Sequence, residues 1–287
     1  MNNKILIIIV VLLLGVGTFF FLASKPVTQS HRSYQIEVTS QLSSIEPKKS
    51  ATFRYKIKND KGEILKNYEI AHEKIMHFIV VRKDLQNFQH LHPDFNQATG
   101  EFTVDIAFPD GGSYRVFPDF TPAQDNPQKL PVTVYHDIDV GDISTYKAQS
   151  ATPDTQQKKS FGEYQVTYSL PINLTKQQEI TYTLTIERNG QPVTDLQQYL
   201  GAMGHSVILK EETLDFIHTH ALGAKNNGTT QDHGAQPQQH GSIQTTTNKG
   251  PKIEFAATFP ESGVYKIFTQ FQHEGKIQTV DYTVKIN

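Results

Sequence analysis

After about residue 33 the chain alternates apolar and polar positions in short runs divided by turn residues. "SYQIEVTS" (33–40), "ATFRYKIKND" (51–60), "IMHFIVVRKD" (75–84), "EFTVDIAFP" (101–109), "SYRVFPDF" (113–120) and "LPVTVYHDIDV" (130–140) all read as strands. "NDKG", "ERNG", "PDGG" and "PESG" carry the glycines and asparagines that tight turns need. No 3.6-residue period is sustained beyond the N-terminal segment. About seven strands in roughly 110 residues predicts an antiparallel β-sandwich of immunoglobulin-like or cupredoxin-like type.

The pattern occurs twice. At an offset of 128, His77 falls on His205, His90 on His218, His92 on His220 and Phe88 on Phe216. "MHFIVVRKDLQNFQHLH" therefore matches "GHSVILKEETLDFIHTH" without a gap. Farther on, "FPDGGSYRVFPDF" from Phe108 matches "FPESGVYKIFTQF" from Phe259, so the offset grows from 128 to 151, an insertion of 23 residues after His220. The inserted stretch is rich in Gln, Asn, Gly and Thr, which cannot bury a core, and reads as a mobile polar loop. It contains His233 and His240. The expected organisation is an N-terminal segment 1–24, a juxtamembrane linker 25–33, a sandwich 34–142, a linker 143–159, and a second sandwich 160–287 with the polar insertion at 223–250.

Residues 5–22 break the alternation. They read ILIIIVVLLLGVGTFFFL, 18 uncharged residues, enough to cross a bilayer core with little tilt. A small-x-small cleavage site is poorly formed after it, so a single-pass transmembrane helix is expected, with a cleaved secretion signal as the alternative. Either places the sandwiches outside the cytoplasm.

Composition narrows the chemistry. Net charge is −2 with no basic stripe, so nucleic acid is not an expected partner. Cysteine is absent, which excludes disulfides, iron–sulfur clusters, thiolate zinc sites and a blue-copper ligand set. Any metal must be held by His, carboxylate, Met or carbonyl oxygen.

Four of the twelve histidines lie between positions 72 and 92. His72, Glu73 and His77 come within one residue of H-E-x-x-H, but on a helix an i, i+5 pair points about 140° apart. The second copy has Leu200 and Gly201 at the first two of these positions, so no catalytic role is expected. On a hairpin the picture changes. His90 and His92 share a strand face, and any antiparallel register in which paired residue numbers sum to an odd value brings His77 to that face. A sum of 169 sets His77 opposite His92; a sum of 167 sets it opposite His90. The same holds for His205, His218 and His220. Three convergent neutral imidazoles suit Cu(II), Zn(II) or Ni(II). His72, Met76, Met203 and His273 are supplementary ligand candidates; thioether near imidazole would favour Cu(I). His31 and His136 look incidental.

The quoted pair of segments resembles a group of bacterial membrane-anchored or secreted proteins with repeated His-containing β-sandwich domains, described as cupredoxin-like or heavy-metal-binding. The resemblance spans both copies. It implies extracytoplasmic handling of copper or zinc by His77, His90 and His92 and by His205, His218 and His220. The second copy departs from the first in Ala221, which replaces Pro93, and in the insertion. The expectation is a membrane-tethered protein that stores metal or passes it to another extracytoplasmic metal-handling protein, not an enzyme. The alternative is a metal-free adhesion or assembly module that binds a protein or glycan.

Overall fold

A computed structural model describes residues 33–40, 44–124, 126–222 and 249–287. The apolar stretch 5–22, most of the insertion, and His31, His233 and His240 lie outside these residues. Among the described residues no helix is long and apolar enough to cross a membrane.

The described residues are all-β, in four antiparallel sheets. The first copy contains β1 (Gln35–Val38), β2 (Ser50–Lys58), β3 (Tyr68–Glu69), β4 (His77–Arg82), β5 (Gln89–Leu91), β6 (Asp94–Asn96), β7 (Glu101–Ala107), β8 (Gly112–Pro122), β9 (Val132–Thr133) and β10 (His136–Val140). Its outer sheet runs β1-β2-β7-β6, and its second sheet runs β10-β8-β4-β5 with β3 and β9 also on β8. Pro118 lies on β8 between the stretches paired to β10 and to β9, where an absent N–H costs least. The second copy contains β11 (Lys158–Phe161), β12 (Tyr164–Ser169), β13 (Glu179–Arg188), β14 (Gln191–Pro192), β15 (His205–Lys210), β16 (Phe216–His220), β17 (Lys252–Thr258), β18 (Gly263–His273) and β19 (Lys276–Ile286). β11-β12-β13-β14, with β17 on β13, form one sheet; β16-β15-β18-β19 form the other.

Each sandwich buries its own aromatic core, with Phe53, Tyr55, Phe78 and Phe102 in the first and Tyr168, Tyr182, Phe255 and Phe271 in the second. β4 and β15 are buried on both faces. One face of each looks into its own core, as Phe78, Val80 and Ile208 do. The other builds a third core between the sandwiches from Ile79, Val81, Leu85, Phe117, Val207, Leu209, Leu214 and Phe268. Burying each such side chain stabilises by about 1.5–3 kcal/mol, so the two sandwiches form a packed unit.

That packing is a pseudo-two-fold. Phe88 stacks on Phe268 with ring centroids 4.4 Å apart, and the repeat-equivalent pair Phe216 and Phe117 lies at 5.3 Å. Lys266 donates to the Leu85 carbonyl at 3.2 Å, and its equivalent Arg115 donates to the Thr213 carbonyl at 3.5 Å. A residue of one copy meets a residue of the other, and the reverse pair meets as well, as in an isologous dimer interface.

The stretch with linker composition is held along this contact. The Tyr146 hydroxyl and the Gln149 N–H donate to Asp84 of the first sandwich. The Ala151 N–H donates to Glu211 of the second at 2.5 Å, and Ala151 packs on the third core.

Candidate functional site

β4 and β5 pair in the register whose residue numbers sum to 169, through Phe78–Leu91, Ile79–His90 and Val80–Gln89. Continued by one step, it sets His77 across from His92. β15 and β16 repeat this as His205–His220 and Val207–His218. His77 lies two residues from Ile79 on β4, and His205 two from Val207 on β15. Both triads therefore stand on the faces that build the third core, at one end of it.

Within each triad, one nitrogen per ring lies within 4.8 Å of the others: His77, His90 and His92 in the first, His205, His218 and His220 in the second. The remaining nitrogens explain which atoms those are. His77 Nε2 lies 3.1 Å from the Ala71 carbonyl and His205 Nε2 lies 2.8 Å from the Tyr199 carbonyl. A carbonyl only accepts, so Nε2 carries the proton and Nδ1 keeps its lone pair. His90 Nδ1 is 2.8 Å from Gln270 Oε1, and His218 Nδ1 is 2.8 Å from Asp119 Oδ2. These two rings donate from Nδ1 and present Nε2. Gln270 and Asp119 are equivalent positions of β18 and β8, each reaching across to the other sandwich. Asp119 is buried and also accepts from Thr133 at 3.0 Å. The Gln270 amide is steadied by donating to Thr279 at 3.0 Å.

The carbonyls of Ala71 and Tyr199 belong to two-residue hairpin turns. Ala71 and Lys74 exchange backbone hydrogen bonds at 2.9 and 3.0 Å, as do Tyr199 and Ala202 at 2.8 and 3.2 Å. The central residues His72 and Glu73 have φ of 47° and 65°, and Leu200 and Gly201 have 52° and 74°, the left-handed pair that type I′ turns require. His72 and Glu73 thus sit on a hairpin turn, and the near-match to the protease motif has no helix beneath it.

In the second triad, His205 Nδ1, His218 Nε2 and His220 Nε2 are all buried with no hydrogen-bond partner. In the first triad, His92 Nε2 is in that state, while His77 Nδ1 and His90 Nε2 face each other at 3.0 Å. Both of those rings already donate from their other nitrogen, so two lone pairs meet unless a cation lies between them. A proton is disfavoured there. Burial, reinforced by His90 and the other neighbouring rings, pushes His77 well below its ordinary value, and burial with His218 pushes His90 to about 3. Burial likewise lowers His72 and His92 to about 4, and holds His205 and His220 well down. Near pH 7 His72, His77, His90, His92, His205 and His220 are neutral ligand-type imidazoles.

Of the supplementary histidine candidates, His72 joins the cluster and His273 does not. His72 stacks on His220 at 3.5 Å between ring centroids and stands 5.5 Å from His205 and 6.4 Å from His77, so it reaches the second triad more closely than the first. Met76 is buried in the first core and Met203 packs against the second. His273 is occupied elsewhere, with Nδ1 at 2.8 Å from the Tyr164 hydroxyl and Nε2 at 3.0 Å from Asp195. Asp119 and Gln270 were not singled out by the histidine spacing. Their signal was the match of "FPDF" to "FTQF", the strand next to each triad.

The fold and the paired triads define a tandem antiparallel β-sandwich with a duplicated, inward-facing histidine cluster. The chain belongs to the family described as Domain of unknown function (DUF8832), matched at residues 29–137 and 158–287, one segment per copy. A comparison with curated proteins finds no match. Among solved structures the chain is similar to Salmonella alpha-2-macroglobulin reacted with methylamine, at 10% identity and a TM-score of 0.28 over 88% of this chain and 15% of that one. It is also similar to the Escherichia coli adhesin FdeC, at 11% identity and TM-score 0.25 over 88% and 64% of the two chains. The D00-D0 domain of Intimin gives 10% identity and TM-score 0.23 over 89% and 100%. TM-scores in this range transfer neither fold nor role.

Proposed function

We propose that this protein binds copper or zinc ions through its two histidine triads and stores them or passes them to another metal-handling protein outside the cytoplasm. The observation that carries the reading is the donor set. Each triad gathers three buried imidazole nitrogens, and in two of its three rings the opposite nitrogen is fixed by a carbonyl, amide or carboxylate. Metal-ligating histidines are oriented in this way. Zinc–nitrogen bonds are about 2.0–2.1 Å, so two nitrogens on one ion lie about 2.9–3.4 Å apart in square or tetrahedral arrangements. The 3.0 Å between His77 and His90 fits that edge; the wider nitrogens close by a rotamer adjustment. All-imidazole coordination suits Cu(I), Cu(II) and Zn(II) above hard cations.

The apolar stretch 5–22 supports a membrane tether, or export, with the sandwiches outside the cytoplasm. Turnover is not part of the proposal. Asp119 is held by His218, and Glu73 lies on a turn whose copy carries Gly201.

Isothermal calorimetry and metal analysis of the full chain test the reading. Wild type should bind Cu(II) or Zn(II) stoichiometrically, and replacing His90 and His92 by Ala should lower the bound equivalents. Uptake that is absent, or unchanged in the variant, would favour a metal-free adhesion or assembly module.

A further inference from the structure

The two triads are not separate sites at the far ends of two domains. Ring centroids within a triad are 4.6 to 6.2 Å apart. Across the triads, His77 lies 5.3 Å from His218 and 6.4 Å from His205, and His90 lies 6.0 and 6.4 Å from the same two. His77 and His90 are thus about as near to His205 and His218 as to the rings of their own triad. Among the described residues, the buried carboxylate hydrogen-bonded to a triad ring is Asp119, which stands behind the second triad at His218; the equivalent place behind the first holds the neutral Gln270. The second triad also keeps all three of its ligand-side nitrogens apart and unpartnered, whereas the first must separate His77 from His90. His72, supplied by the first sandwich, stacks on His220.

Resting on the metal reading above, we infer that the two triads form one coupled dinuclear centre at the domain interface, loaded first at His205, His218 and His220 and then at His77, His90 and His92. Three features direct the first ion. A carboxylate behind a ligating imidazole makes it a stronger donor. The separated nitrogens of the second triad need less rearrangement. His72, stacked on the face of His220, holds that ring in place. The second ion then enters against the charge of the first, with few ångströms and little solvent between them. By linkage the penalty is reciprocal. Each occupied triad is braced by a side chain of the opposite sandwich, so the filled centre also clamps the two domains together.

Titration of the full chain with Cu(II), followed by calorimetry and electron paramagnetic resonance, tests this. The first equivalent should bind at least about tenfold more tightly than the second, a range typical of second-shell effects, and give an isolated Cu(II) spectrum with nitrogen couplings. The second should broaden or quench that signal through spin–spin interaction. His218→Gln/His220→Gln should remove the tight step, and His90→Gln/His92→Gln should keep it and abolish the broadening. Asp119→Asn, which keeps an acceptor for His218, should narrow the affinity gap by about tenfold. Circular dichroism melts check that the variants fold; if a double variant does not, wild type and Asp119→Asn decide. Two equal steps with unbroadened signals, or a tight step lost with the first triad, would overturn the inference and leave the metal reading standing. No stoichiometric uptake by wild type would overturn both.

Discussion

The triads of the two sandwiches share strand, register and turn, yet they are finished differently. In the second, three unpartnered nitrogens stand apart and a buried carboxylate backs one ring. In the first, two of those nitrogens touch and an amide takes the carboxylate's place. Duplication preserved the backbone device that gathers the rings and let the partner positions diverge. Because Asp119 serves the second triad and Gln270 the first, each sandwich completes the other's site. The two cannot be assigned to separate, self-sufficient modules.

The largest expected effect is on the packing that holds the comparison together. Phe117→Ala removes a ring from the third core, and its cost should be about 3–5 kcal/mol of unfolding free energy, the usual price of a buried aromatic. Urea denaturation measures it. The pseudo-symmetric Phe268→Ala should cost a similar amount; a loss confined to one of the two would show that the pseudo-symmetric contacts are not equivalent.

Acid should come next. In the unfolded chain these histidines take up protons near pH 6.5, while in the folded chain His72 and His92 stay neutral to about 4 and His90 to about 3. The unfolded state then binds more protons, so stability is full above about 6.5 and falls as pH drops toward 4. Urea midpoints of the metal-free protein at several pH values should show this decline. His90→Gln/His92→Gln should flatten it; a variant as acid-sensitive as wild type would contradict the assignment.

The smallest effect sharpens the asymmetry. His72→Leu copies the residue of the second sandwich, where Leu200 already adopts the left-handed φ, so stability should change by less than about 0.5 kcal/mol, as at other tolerant sites. Affinity at the second triad should weaken while the first is unchanged, read by metal titration in a His90→Gln/His92→Gln background and in its converse. Equal weakening of both would place His72 between the triads.

Much of this was legible in the sequence. Period-two alternation gave the all-β class, the offsets of 128 and 151 gave the tandem repeat, and parity of register gave the convergence of His77, His90 and His92 on one face. What the sequence could not supply was which surface of each sandwich meets the other. "HFIVVR" and "HSVILK" are apolar on both faces, and periodicity alone does not say whether the second face meets lipid, a partner or a copy of itself. The meeting of the triads and the roles of Asp119 and Gln270 follow from that packing. Thioethers fill cores as readily as they bind copper, so spacing alone could not tell that Met76 and Met203 pack in the two cores. His273 shared a strand with Gln270 but points into a separate network with Tyr164 and Asp195.

X-ray absorption at the metal edge of the copper- or zinc-loaded protein tests the central claim most directly. Three to four imidazole nitrogens at about 2.0 Å around each ion, with no sulfur near 2.3 Å, is the predicted first shell. A shell of water and carboxylate oxygens alone, or one containing sulfur, would contradict it.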